Sequence, residues 1–269
     1  MTRVQASAGV VLALAACGPR LPPGAVGEER FLVTLDGQFT TRQTSGPPAP
    51  VPPPFQESWR LDLAITPLET HPDDSLTRRW SVVSAVDGAG QPLPLAGRVF
   101  DVRQFASGEL LQIAHVERAL GPGYGMEAWD LLFFAVSPKV PAVGRAAVRS
   151  STGWTTPFGL GRSQRLVHTA TWARAPVAAS DAPGSIAVTW SDPVAIEGRG
   201  TDRGVQPPPT VEWVGQGGDG RVVLRREDGA LYAHHLRIAR AGTVRFPGAP
   251  GGTVELVQEQ VLDIRVERR

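Results

Sequence analysis

Histidine is the side chain that changes charge near neutral pH, so the chain's five histidines are the first candidates for acid–base or metal chemistry. His234 and His235 are adjacent in a segment with strand-like alternation, so we expect them to point to opposite faces and not to share a metal ion. His234 falls on the same phase as Tyr232, Leu236 and Ile238, which favours a partly buried structural histidine. No metal site is predicted.

Carboxylates occur in two places where they could assist chemistry. His71–Pro72–Asp73–Asp74 combines a base with two acids, but the oxygen-rich spacing of a calcium loop is absent, and Pro and Asp favour a solvated turn. Glu127 and Asp130 would be neighbours on a helix, although a general-acid pair there would require burial.

The sequence supports neither a dinucleotide-binding motif nor a nucleophile elbow. Gly215–Gly220 matches G-x-G-x-x-G, but a dinucleotide site needs a helix directly after it, and Arg221–Leu224 reads as strand. We therefore predict a hairpin turn with positive φ at these glycines. No G-x-S-x-G occurs, and neither Ser107 nor Ser163 lies in a nucleophile elbow. No catalytic residue and no cofactor is predicted.

The seven tryptophans raise the question of sugar stacking. Trp59, Trp80 and Trp190 lie on the phase of the neighbouring Leu, Val and Ile residues, which predicts that they fill the core. Trp154 lies in the glycine-rich segment Ser150–Gly161, and we expect it in a loop.

Composition excludes some classes of protein. Lys+Arg is 27 against Asp+Glu 26, so the basic excess typical of nucleic-acid binding is missing. A single cysteine excludes an internal disulfide and cysteine-based zinc sites, so core packing and sheet hydrogen bonds must stabilise the fold.

The amino terminus has the pattern of an export signal. Arg3 precedes a short apolar stretch, Val4–Leu14, about half the length of roughly 20 residues needed to span a bilayer as a helix. The next residues are Leu14-Ala15-Ala16-Cys17, in which two small side chains precede the chain's one cysteine.

This tetrapeptide resembles the lipobox of bacterial lipoproteins. The resemblance implies diacylglyceryl transfer to the Cys17 sulfur, cleavage before it and acylation of the new amino terminus, as with palmitate. It predicts a signal peptide at 1–16, a lipidated tether at 17–27 and a cell-envelope location on a membrane. Gly18 stands where an Asp would signal inner-membrane retention, which favours the outer membrane, facing periplasm or surface.

Alternation with a period of two dominates the rest of the chain. Phe31–Phe39 and Trp59–Ile65 read as one-sided strands, and the proline-rich stretch Thr44–Phe55 reads as a surface loop. Met126–Phe134 has helical spacing and fits either a short buried helix, which we favour, or an apolar turn. We predict an all-β, mainly antiparallel fold (a curved sheet, a sandwich or a half-barrel) with at most one short helix mid-chain.

Two hairpins resemble each other. Gly97–Ala119 and Gly220–Ala241 both begin Gly-Arg-Val and contain a turn glycine, and we expect a Trp-bearing strand before each, around Trp80 or Trp213. The prediction is two β units, 28–120 and 162–269, joined by a connector at 121–161.

The mature body also resembles uncharacterised two-repeat lipoproteins with an apolar mid-chain segment, a proline and a Val-Gly stretch. Here these positions read Leu132-Phe133-Phe134, Pro138, Pro141 and Val143–Ala147, without the family's tryptophan. The resemblance implies no activity.

We therefore expect a non-enzymatic, membrane-anchored module that binds an envelope protein, a lipid or a glycan. One alternative is a lipid carrier, which requires an apolar cavity. The other is a hydrolase that pairs His71, His115, His168 or His234 with an acidic group.

Overall fold

The computed structural model describes residues 27–105, 110–114, 132, 134–158, 162–192, 196–201, 210–249 and 251–269. These residues form twelve strands, which confirms the all-β prediction. The strands are β1 (Glu29–Ser45), β2 (Phe55–Thr70), β3 (Ser75–Asp87), β4 (Val99–Phe105), β5 (Leu110–Ala114), β6 (Val148–Phe158), β7 (Arg162–Ala175), β8 (Ser185–Asp192), β9 (Ile196–Thr201), β10 (Thr210–Arg225), β11 (Leu231–Ala249) and β12 (Gly252–Arg268).

All twelve strands belong to one open, antiparallel sheet. The order is β5-β4-β3-β2-β1-β12-β11-β10-β8-β7-β6, and β9 pairs with both β10 and β7. The edge strands β5 and β6 approach to within 8 Å between Cα atoms, although no ladder joins them. One continuous ladder whose edges curl towards each other corresponds to the curved sheet or half-barrel, and not to a sandwich of two sheets.

One face of the sheet forms the core. In β1, Phe31, Val33, Leu35 and Phe39 are buried, and the residues between them are half-buried or exposed. The same alternation places the predicted tryptophans Trp59, Trp80 and Trp190 in the core, each at most 5% exposed. Alternating side chains point to opposite faces of a strand, so the period-two pattern becomes one apolar face and one wet face.

The two ends of the chain meet in the middle of the sheet. β1 pairs with β12 in a long ladder, with Val33 opposite Val266 and Leu35 opposite Ile264. The strands of 28–120 and the strands of 162–269 therefore lie on the two sides of this junction. The end of the sheet where β1 begins and β12 ends we call the proximal end.

A short helical stretch lies on the core face. Residues 132 and 134–136 are helical, and Leu132, Phe134, Ala135 and Val136 are all buried in the core. This confirms the short mid-chain helix. Among the described residues, no helix has the length and apolar character needed to cross a membrane.

Three local predictions were wrong. Gly215–Gly220 does not form a hairpin turn but lies inside β10, where the register shifts between Gly215 and Gly217. Trp154 lies on strand β6 rather than in a loop, and Trp213 lies on β10 itself rather than on a strand before the second hairpin. The cause in all three cases is that glycine was taken for a turn, whereas hydrogen bonding to the neighbouring strands keeps the backbone extended.

Candidate functional site

A buried polar cluster lies in the middle of the core face. Trp190 Nε1 donates a hydrogen bond to His234 Nε2 at 3.2 Å, and His234 Nδ1 lies 2.8 Å from the carbonyl oxygen of Ala135. An indole N–H only donates, so Nε2 must accept and Nδ1 must carry the proton. His234 is 1% exposed, and this neutral tautomer satisfies both of its nitrogens.

Aromatic packing surrounds this histidine. Phe134 meets the rings of Trp190 and His234 edge-on, with centroids 5.6 Å apart in each case. Trp172 lies beside Trp190 with a centroid distance of 6.2 Å. The cluster therefore holds the helical stretch at 134–136 against strands β7, β8 and β11.

Gly220 makes this arrangement sterically feasible. It lies opposite Trp190 across the β8–β10 ladder, and a Cβ built on it would be 2.3 Å from the indole nitrogen. No side chain fits there, so the glycine serves close packing and not a turn or a phosphate.

Burial lowers the pKa of His234 to about 4, and the carbonyl of Ala135 opposes this only in part. A protonated ring would also present an Nε2–H to the indole N–H, which leaves two donors facing each other. His234 is thus a neutral structural histidine, as its phase predicted, and its neighbour His235 points to the opposite, wet face.

His235 and His71 make their contacts apart from this cluster. The His235 ring nitrogen Nε2 is 3.1 Å from Asp263 Oδ2 on the exposed face. His71 Nε2 lies 2.7 Å from the Thr77 hydroxyl, and its Nδ1 is 3.7 Å from Glu69, too far for a hydrogen bond. His71, His234 and His235 therefore occupy three separate places in the described part of the chain.

The loop between β2 and β3 is a turn, as predicted. Asp73 Oδ1 accepts hydrogen bonds from the backbone N–H and the hydroxyl of Ser75, and its Oδ2 accepts one from Arg103 Nη2 at 2.9 Å. These bonds, chiefly those from Ser75, lower the pKa of Asp73 to about 2. The carboxylate oxygens of Asp73 are therefore used to close the turn. Among the described residues, no group of three or more His, Cys, Asp or Glu side chains could hold a metal ion.

A second polar cluster lies at the proximal end of the core face. Glu29 of β1 lies between Arg268 of β12 and Arg78 of β3. Glu29 Oε1 is 3.2 Å from Arg268 Nη2, and Glu29 Oε2 is 3.9 Å from Arg78 Nη1. Sequence reasoning missed all three residues. The sequence offered one signal for them: each lies two positions from a buried residue of the same strand (Phe31, Val266 or Trp80), so its side chain should point to the core face.

Several predicted sites lie outside the described residues. These are the lipidation residue Cys17 and its signal peptide, the turn glycine of the first hairpin (Gly108), His115, and the pair Glu127 and Asp130. His168 and Ser163 lie on β7.

The fold and these two clusters define a single-sheet, all-β protein that buries one face of its sheet. No protein-family model matches the chain, and no curated protein matches it.

Proposed function

We propose that this is a cell-envelope lipoprotein, anchored by acyl groups on Cys17, whose β body is a non-enzymatic binding or structural module. The observation that carries the proposal is the tetrapeptide Leu14-Ala15-Ala16-Cys17, which places the one cysteine where a lipobox is acylated. A single acyl chain holds a protein on a membrane only marginally, whereas two or three chains anchor it stably.

The position of the first strand fits a tethered body. β1 begins at Glu29, so residues 18–28 separate the lipidated residue from the sheet. Fully extended, these residues reach at most about 40 Å. This length lets the body stand clear of the headgroups while its proximal end stays the part nearest the membrane.

The packing of the core face favours a module that binds on its surface over a lipid carrier. Phe134 packs edge-on against Trp190, and Leu132 and Val136 are buried in the same core, where a carrier would need an apolar cavity. The partner is an envelope protein, a lipid or a glycan. Gly18, in place of a retention Asp, supports the outer membrane as the location.

Metabolic labelling with an alkyne fatty acid tests the proposal. Cells expressing the full chain should yield a labelled protein in the membrane fraction, and Cys17→Ser should abolish the label. Gly18→Ala is the matched control and should keep the label, because it leaves the acylated sulfur and the residues before it unchanged. An unlabelled wild-type chain in the cytosolic fraction would refute the proposal.

A further inference from the structure

The proximal cluster offers more hydrogen-bond donors than acceptors. Two guanidinium groups face the single carboxylate of Glu29, and a guanidinium carries five N–H donors. Arg268 Nη1 is buried and has no hydrogen-bond partner. The 3.9 Å contact from Arg78 to Glu29 is an ion pair too long for a hydrogen bond.

These groups are partly withdrawn from water but still reachable. The side chains of Arg78, Glu29 and Arg268 are 15%, 21% and 23% exposed. Burial lowers the pKa of the Arg78 guanidinium, and the charge of Glu29 opposes the shift. Desolvated donors without acceptors are costly, so the cluster favours an added anion.

The neighbouring charges do not neutralise the cluster. Asp228 lies close enough to Arg268 for its pKa to be lowered by that charge, but its carboxylate is already hydrogen-bonded to Arg225. Among these five side chains, the three guanidinium groups of Arg78, Arg268 and Arg225 exceed the two carboxylates of Glu29 and Asp228 by one positive charge.

We propose that Arg78 and Arg268 together bind a phosphate group at the proximal end of the core face. Each guanidinium can present a fork of two N–H donors, and a phosphate has acceptor oxygens on several sides, so it accepts from both arginines at once. A carboxylate, with two oxygens in one plane, satisfies fewer of these donors.

The phosphate has two potential sources, a phospholipid headgroup or a free phosphate. The headgroup source rests on the proposed function, because only a lipid tether brings the proximal end to the membrane surface. The affinity of Arg78 and Arg268 for phosphate does not rest on it.

Titration calorimetry of the full chain in neutral detergent and low salt tests the site, with inorganic phosphate as the probe. Arg78→Gln and Arg268→Gln should each weaken binding about tenfold or more, because each removes a charge-assisted contact. Arg79→Gln and Arg265→Gln are matched controls on the same strands, with their side chains on the wet face, and should bind like wild type.

Glu29→Gln gives the opposite change. It removes the competing carboxylate and should tighten phosphate binding several-fold, which a merely structural cluster would not do. Absence of phosphate binding, equal binding in all variants, or acetate binding as tightly as phosphate would overturn the proposal.

Short-chain phosphatidylglycerol and phosphatidylcholine distinguish the sources. If phosphatidylglycerol competes with inorganic phosphate for wild type but not for Arg268→Gln, the phosphate source is the lipid headgroup. Phosphate binding without phosphatidylglycerol binding assigns the free ion. If phosphate binds but no fatty acid labels Cys17, the anion site stands and the anchoring proposal fails.

Discussion

The middle of the core face and its proximal end both bury polar side chains, but they differ in how those groups are satisfied. Around His234, both ring nitrogens have partners supplied by Trp190 and Ala135. At the proximal end, Arg78 and Arg268 share one carboxylate, and a buried Nη1 has no partner. A histidine with a partner on each ring nitrogen stabilises one packing, whereas surplus guanidinium donors indicate a place for a ligand.

Removing Trp190 should have the largest effect in this comparison. Trp190→Ala deletes a buried indole and leaves His234 Nε2 without its donor, so the free energy of unfolding should fall by about 3–5 kcal/mol. Urea denaturation followed by circular dichroism measures this. Trp190→Phe, which keeps most of the packing, should cost less, and wild-type stability in Trp190→Ala would contradict the role of the middle cluster.

Protonation of His234 should give the next largest effect. Its folded pKa of about 4 lies below its usual 6.5, so the stability contributed by the neutral ring is present above pH 6.5. As the pH falls from about 6.5 to 4, the free energy of unfolding should decrease by about 3 kcal/mol in total. The measurement is the free energy of unfolding against pH.

His234→Gln should flatten the profile in that window. Asp73 has a folded pKa of about 2 against its usual 3.8, so the stability that its ionised form contributes is lost only below about pH 3.8. The His234→Gln variant should keep this loss, because the two groups titrate in separate pH ranges. A wild-type profile unchanged by His234→Gln would show that this histidine is not buried in its neutral form.

A methyl group at Gly220 should cost somewhat less. Its Cβ would be 2.3 Å from Trp190 Nε1, so Gly220→Ala should lower the free energy of unfolding by about 1–3 kcal/mol through overpacking. Gly144→Ala is the control, since a Cβ there meets nothing within 4 Å and the change should be small. Equal stability of the two variants would contradict the close approach of β8 and β10.

The smallest effect is expected on the wet face. His235→Ala breaks the exposed pair with Asp263, and such pairs contribute about 0–1 kcal/mol. The thermal midpoint should therefore barely move, although His235 is adjacent to His234. A large loss would mean that the two faces of β11 are not as different as their burial indicates.

Much of the fold followed from local pattern. The alternation in Phe31–Phe39 and in Trp59–Ile65 predicted strands and their buried faces, because one packed face requires a period of two. The apolar spacing around Leu132–Phe134 likewise predicted the short helix, whose described residues are buried.

The rest depended on partners far away in the chain. From its local sequence Gly220 is predicted to lie in a turn. Its actual role depends on Trp190, thirty residues earlier, whose indole ring occupies the space that a Cβ at position 220 would take. Arg78 and Arg268 are 190 positions apart. The β1–β12 ladder brings Arg268 to Glu29, and the β1–β2 and β2–β3 ladders bring Arg78 to the same carboxylate. A single sequence carries no sign of such a meeting beyond the phase of each residue.

The mass of the amino-terminal peptide of the mature protein tests the account most directly. The protein purified from its membrane fraction should begin at Cys17, and that residue should carry a diacylglyceryl group on sulfur and an acyl group on its amine. A peptide that spans the Ala16–Cys17 bond, with an unmodified thiol, would contradict it.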